Sequence, residues 1–68
     1  MENFEFIYND GEVDITFTII YLQEKTITVA VSDRGKISVR EFDLHQDLNG
    51  TYFEYGLYQE KIYVEDFE

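Results

Sequence analysis

Polar and apolar residues alternate along most of this chain. From Val13 the odd positions read Val13, Ile15, Phe17, Ile19 and Tyr21, while the even positions begin Asp14, Thr16 and Thr18 and turn apolar at Ile20 and Leu22. Successive side chains of a strand point to opposite faces, so a period of two marks a strand with one buried face. The run predicts a long strand whose far end is covered on both sides. A second run sets Ile27, Val29 and Val31 against Thr26, Thr28 and Ser32. β-branched residues occupy both faces of these runs, and their restricted χ1 angles disfavour a helix.

Turn-forming residues separate the runs. Asn9-Asp10-Gly11 lies between the apolar stretch Phe4 to Tyr8 and Val13 and predicts a hairpin, since these residues tolerate the positive φ of tight turns. Asp33-Arg34-Gly35-Lys36 reads as a type I turn with glycine in the left-handed position, making the strand Ile37 to Leu44 antiparallel to the one before. Within that strand Ile37 and Val39 are odd whereas Phe42 and Leu44 are even. A β-bulge or sharp bend near Arg40-Glu41 is the expected remedy for such a phase change. The stretch 43–48 admits one short helical turn, closed by Asn49-Gly50.

Two closing strands follow, around Tyr52 to Leu57 and Lys61 to Phe67. Parity assigns Phe53, Tyr55, Leu57, Ile62 and Val64 to the core, and Tyr52, Glu54, Tyr63, Glu65 and Phe67 to the other face. The expected fold class is all-β, a single domain over 1–68. It is an antiparallel meander of about six short strands, at the spacing of a compact barrel or sandwich.

Length changes the picture by making stability a problem. A chain of 68 residues has room for one core only, and a domain of that size buries about 60% of the surface its unfolded chain exposes. There is no cysteine and one histidine, so neither disulfides nor a structural zinc site supply the deficit. Six Phe and six Tyr point instead to an aromatic core, each ring burying roughly 150 to 250 Å².

Charge narrows the function classes. The net charge of −10 is distributed as −6 over residues 1–24, +3 over 25–40 and −7 over 41–68. A compact chain of this length is roughly 28 Å across, and duplex DNA of that length carries about 16 phosphate charges. The charge density of the protein is thus comparable with that of DNA. Direct nucleic-acid binding is disfavoured, because phosphate contacts need a basic stripe. A solubilising role accounts for an acidic surface without any partner. Its functional alternative is competition with nucleic acid for a basic groove on another protein.

Enzymatic readings lack parts. His45 is the only histidine, and Ser32 and Ser38 lie in or beside strands with no glycine elbow. His45 between Asp43 and Asp47 has the spacing of a partial metal cluster, but a solvated loop histidine accounts for it with fewer assumptions. With Gly50 at the sixth position of a calcium loop, His45 and Gly56 fall at positions one and twelve, where Asp and Glu are required. No catalytic, cofactor-binding or metal-binding residue is therefore assigned.

The favoured reading is a small acidic inhibitor of the nucleic-acid-mimic type, bound to a protein that handles nucleic acid. Its candidate contacts are Asp10, Glu12 and Asp14 at the first hairpin, with Tyr52, Glu54, Glu60, Tyr63, Glu65, Asp66 and Glu68 toward the C-terminus. Tyrosine suits such a surface, offering area at low entropic cost together with a hydroxyl. The acidic opening Met1 to Glu5 is unlike a signal peptide and no long apolar run occurs, so a cytoplasmic location without membrane contact is expected. Phe, Tyr, Ile, Asn and Lys outnumber Gly, Ala, Pro and Arg by 25 to 7, a bias of AT-rich genomes. A phage-encoded anti-CRISPR or anti-restriction protein fits that bias. The alternative is a self-associating module, a homodimer in which exposed strand edges pair two copies.

Overall fold

The computed structural model describes residues 4–68; the acidic start of the chain at Glu2 lies outside the described residues. Among the described residues, seven strands form two antiparallel sheets with no closed barrel. The first sheet is a meander of β1 (Glu5–Asn9), β2 (Asp14–Leu22), β3 (Thr26–Asp33) and β4 (Lys36–Asp43). β5 (His45–Asp47), β6 (Gly50–Tyr55) and β7 (Glu60–Tyr63) make the second, followed by a 3-10 turn at Val64–Asp66. No helix among the described residues is long and apolar enough to cross a membrane.

The alternation seen in the sequence becomes the core. Ile15 and Phe17 of β2, Ile27, Val29 and Val31 of β3, Phe53 of β6, Ile62 of β7 and Phe67 are buried together. Rings join the sheets: Phe17 meets Phe53 edge-on at 5.5 Å, and Phe42 stacks on Phe53 at 4.9 Å. Such pairs contribute about 0.5 to 1.5 kcal/mol beyond area burial, which matters in so small a core. No polar side chain is buried among the described residues.

Leu44 N–H donates to the Lys25 carbonyl at 2.8 Å, extending the β3–β4 ladder by one pair beyond Thr26↔Asp43. The backbone also joins β1 to the segment after the 3-10 turn: Glu5 N–H donates to Glu68 O at 2.8 Å, and Glu68 N–H returns a bond to Glu5 O at 2.9 Å.

Five local expectations are corrected. The phase change is in β2, not β4: the register between β2 and β3 shifts between Ile19 and Tyr21, whereas β3 and β4 pair without interruption from Asp33↔Lys36 to Thr26↔Asp43. Ile37 and Val39 therefore stay on the outer face, 76% and 65% exposed, while Phe42 packs on the core. The far end of β2 is not covered on both sides, since Ile20, Tyr21 and Leu22 are all exposed. The stretch 43–48 forms the end of β4 and β5 rather than a helical turn.

The turn at Arg34-Gly35 has positive φ at both residues, 52° and 80°, which makes it a two-residue turn of the mirror-image type. Finally, Leu57 lies exposed in the β6–β7 loop and Phe67 is buried. The turn at Val64–Asp66 breaks the period of two and resets which residues face inward.

Candidate partner-binding surface

The candidate residues divide into three groups with different surroundings. The first hairpin is built by its own side chains. Asn9 Oδ1 accepts from Gly11 N–H, and Asp10 Oδ1 accepts from both Glu12 N–H at 2.9 Å and Val13 N–H at 3.0 Å. Gly11 has a φ of 102°, which explains the glycine. The β3–β4 turn brings Arg34 alongside. Its guanidinium reaches Asp10 at 2.8 Å, Glu12 at 3.3 Å and Asp33 at 2.7 Å.

Those bonds fix the hairpin's carboxylates around one cation, and Asp10, Glu12, Asp14, Asp33 and Arg34 together still carry −3. The two backbone N–H groups, followed by Arg34, hold the Asp10 carboxyl down at about 2. The same three carboxylates raise Arg34 above its ordinary value. Asp33 accepts a further bond from the Tyr55 hydroxyl at 2.9 Å, and Asp14 accepts from Asn9 Nδ2 at 2.8 Å. Asp10, Glu12 and Asp14 are therefore parts of a turn network, with Glu12 the most open at 80% side-chain exposure.

The second group lies on the outer face of the small sheet, where Tyr52 pairs with Tyr63 and Glu54 with Lys61 across β6 and β7. Asp47 organises this face. It accepts from the Tyr63 hydroxyl at 2.7 Å, from Lys61 Nζ at 3.1 Å and from Asn49 N–H at 2.8 Å. The Tyr63 bond leads in holding the Asp47 carboxyl at about 2, and Asp47 raises Tyr63 and Lys61 in return. Tyr52 is flanked by His45 and Tyr63, each with ring centroids at 5.4 Å, and Lys61 Nζ sits 4.8 Å over its ring. Both tyrosines are half-buried members of this cluster, and the exposed acid at its loop end is Glu60.

The third group is different. Asp66 and Glu68 are exposed, and among the described residues no Lys or Arg side chain pairs with either. Glu65 accepts a weak bond from Thr51 N–H at 3.3 Å. A Cβ on Gly50 would come within 2.7 Å of the Glu65 carboxylate, so the glycine leaves room for it. The Glu5–Glu68 seam adds Glu5, an exposed acid from the other end of the chain.

Glu5 was not legible as a site residue, because only the long-range pairing carries it to Glu68. Among the described residues none of the five cations is ion-paired to these acids: Arg34 is in the hairpin network, Lys61 is on Asp47, Arg40 lies over the rings of Phe42 and Tyr55 at 5.1 and 5.9 Å, Lys36 opens β4 and Lys25 sits in the β2–β3 turn. What results is an acid-only end formed by Glu5, Glu65, Asp66 and Glu68.

No family model, no curated protein and no solved structure matches this chain.

Proposed function

We propose that this acidic β domain binds the basic, nucleic-acid-handling surface of another protein and inhibits it by standing in for the nucleic acid. The observation that carries the reading is the sorting of charge. Asp10, Glu12 and Asp33 share Arg34 and Asp47 holds Lys61, while Glu5, Glu65, Asp66 and Glu68 gather at one end with no ion-paired cation among the described residues. A row of uncompensated carboxylates on a sheet scaffold attracts Arg and Lys of a partner and repels nucleic acid itself. A CRISPR effector or a restriction enzyme offers a groove of the required sign.

The test is affinity capture from a host extract, followed by competition. A partner displaced by duplex DNA or RNA, and released as salt rises, is the expected result. A captured protein without a nucleic-acid role, or binding indifferent to both nucleic acid and salt, overturns the reading.

A further inference from the structure

The acid-only end borders a groove of about 330 Å³ lined by Phe4, Ile19, Ile20, Leu22, Val64 and Phe67, with Glu65 at its edge. The β2 bulge creates it. Up to Ile19 the inward residues of β2 are odd, but beyond the register shift Leu22 lies opposite the buried Ile27 and so shares the inward side. Ile19, Ile20 and Leu22 consequently line one groove instead of alternating across the sheet. Bulges re-aim side chains in this way at sheet edges and sites. Phe4, Ile20 and Leu22 remain 40%, 55% and 50% exposed, a grouped apolar patch on a chain of charge −10.

We propose that this groove receives one apolar side chain of a basic segment in the partner, with flanking Lys or Arg residues meeting Glu5, Glu65, Asp66 and Glu68. The proposal rests on the reading of the protein as a binder of basic surfaces. The volume lies near the lower limit of ligand pockets, about 300 Å³, and leaves room for a Leu, Met or Phe side chain.

Charge selects the occupant. Glu65 lines the groove itself, Asp66 and Glu68 flank the lining residue Phe67 in sequence, and Glu5 follows Phe4 on the outward side of β1. Among the described residues no Lys or Arg lines the groove. A second copy docked here would set these carboxylates against their own counterparts, which costs affinity, whereas a basic segment satisfies rim and floor together. An apolar anchor in a pocket with a polar rim is also the usual anatomy of a binding hot spot.

The experiment is a titration of the isotopically labelled protein followed by backbone amide shifts, with three acetylated peptides: Lys-Arg-Leu-Arg-Lys, Lys-Arg-Ser-Arg-Lys and Glu-Asp-Leu-Asp-Glu. The first is expected to move the amides of Ile19, Ile20, Leu22, Val64 and Phe67. The serine peptide should bind at least tenfold more weakly, and the acidic peptide should be silent. Ile20→Ser and Leu22→Ser, both at half-exposed positions, should each lower affinity for the leucine peptide several-fold and leave the serine peptide unchanged.

Equal binding of the leucine and serine peptides overturns the groove while the charge-based function stands. Binding of neither basic peptide at low salt overturns both. Binding of the acidic peptide overturns the role of the rim. In the free protein, a dimer dissolved by Ile20→Ser, or nuclear Overhauser contacts from the Met1 methyl to Leu22, would show another occupant and also overturn the proposal.

Discussion

Asp10 and Asp66 are both aspartates in turns of an acidic chain, yet they do opposite things. Asp10 accepts two backbone bonds and an arginine, so its charge builds the hairpin it sits in. Asp66 has no side-chain partner among the described residues, and its charge is directed outward. Net charge alone hides this division. A carboxylate bound to its own donors is fixed in place and partly screened, whereas one without them is open to a partner's Arg or Lys.

The largest effect that would break this contrast concerns binding. Reversing the free set as Glu5→Lys, Asp66→Lys and Glu68→Lys should weaken a basic partner by at least about a hundredfold, since three rim attractions become repulsions. The melting temperature should hold or rise, because self-repulsion falls. A matched loss of stability would mean that the free acids are structural after all.

Next comes the glycine beneath Glu65. Gly50→Ala forces a side chain onto a φ of 133° and into the Glu65 carboxylate, for a loss of about 1 to 3 kcal/mol. Urea unfolding measures the cost, and an accompanying fall in partner affinity would show that Glu65 had been displaced.

Substituting the bound set should give the mirror image of the first experiment. Asp10→Ala removes the acceptor of Glu12 and Val13 N–H and one partner of Arg34, so the melting temperature should drop by several degrees with affinity within about twofold of wild type. Asp66→Ala should do the reverse. Equal melting temperatures for the two variants would erase the distinction.

Acidification offers the smallest and most diagnostic effect. The Asp10 carboxyl lies at about 2 in the folded chain against an ordinary 3.8. Asp47 has the same depression from 3.8 to about 2. A depressed carboxyl stabilises the fold at pH values above its unfolded value, and that contribution is lost as pH falls through the folded one. Stability should therefore decline between pH 3.8 and about 2, and Asp10→Asn should flatten the decline. Urea midpoints across that range give the answer.

Strand parity made much of the fold legible. Ile15, Phe17, Val29, Phe53 and Ile62 were all assignable to one face, because a period of two survives wherever strands run straight. It failed at Ile20, where one extra residue shifts the register, and at Phe67, where a 3-10 turn intervenes. Ile37 and Val39 misled for another reason: apolar residues on an outer face imitate a phase change that the backbone does not make.

The candidate surface was less legible, because it depends on distant partners. Asp10 and Arg34 are 24 residues apart, and no local pattern reveals that one neutralises the other. Asp47 was considered only beside His45, yet its actual partners are Tyr63 and Lys61. The C-terminal choice of Glu65, Asp66 and Glu68 placed three acids at one end of the molecule, and only the pairing of Glu5 with Glu68 completed the set.

That pairing also sets an order of events. Each neighbouring pair of strands within a sheet is linked by a short turn and can zip locally, whereas Glu5 and Glu68 nearly span the chain. Closing a loop of that span costs about 4 kcal/mol of chain entropy. The seam is then expected to close after the local hairpins, and the groove and the acid end both lie along it. A partner bound there would hold the two sides together, so the Glu5 and Glu68 amides should exchange with solvent more slowly in the complex than alone.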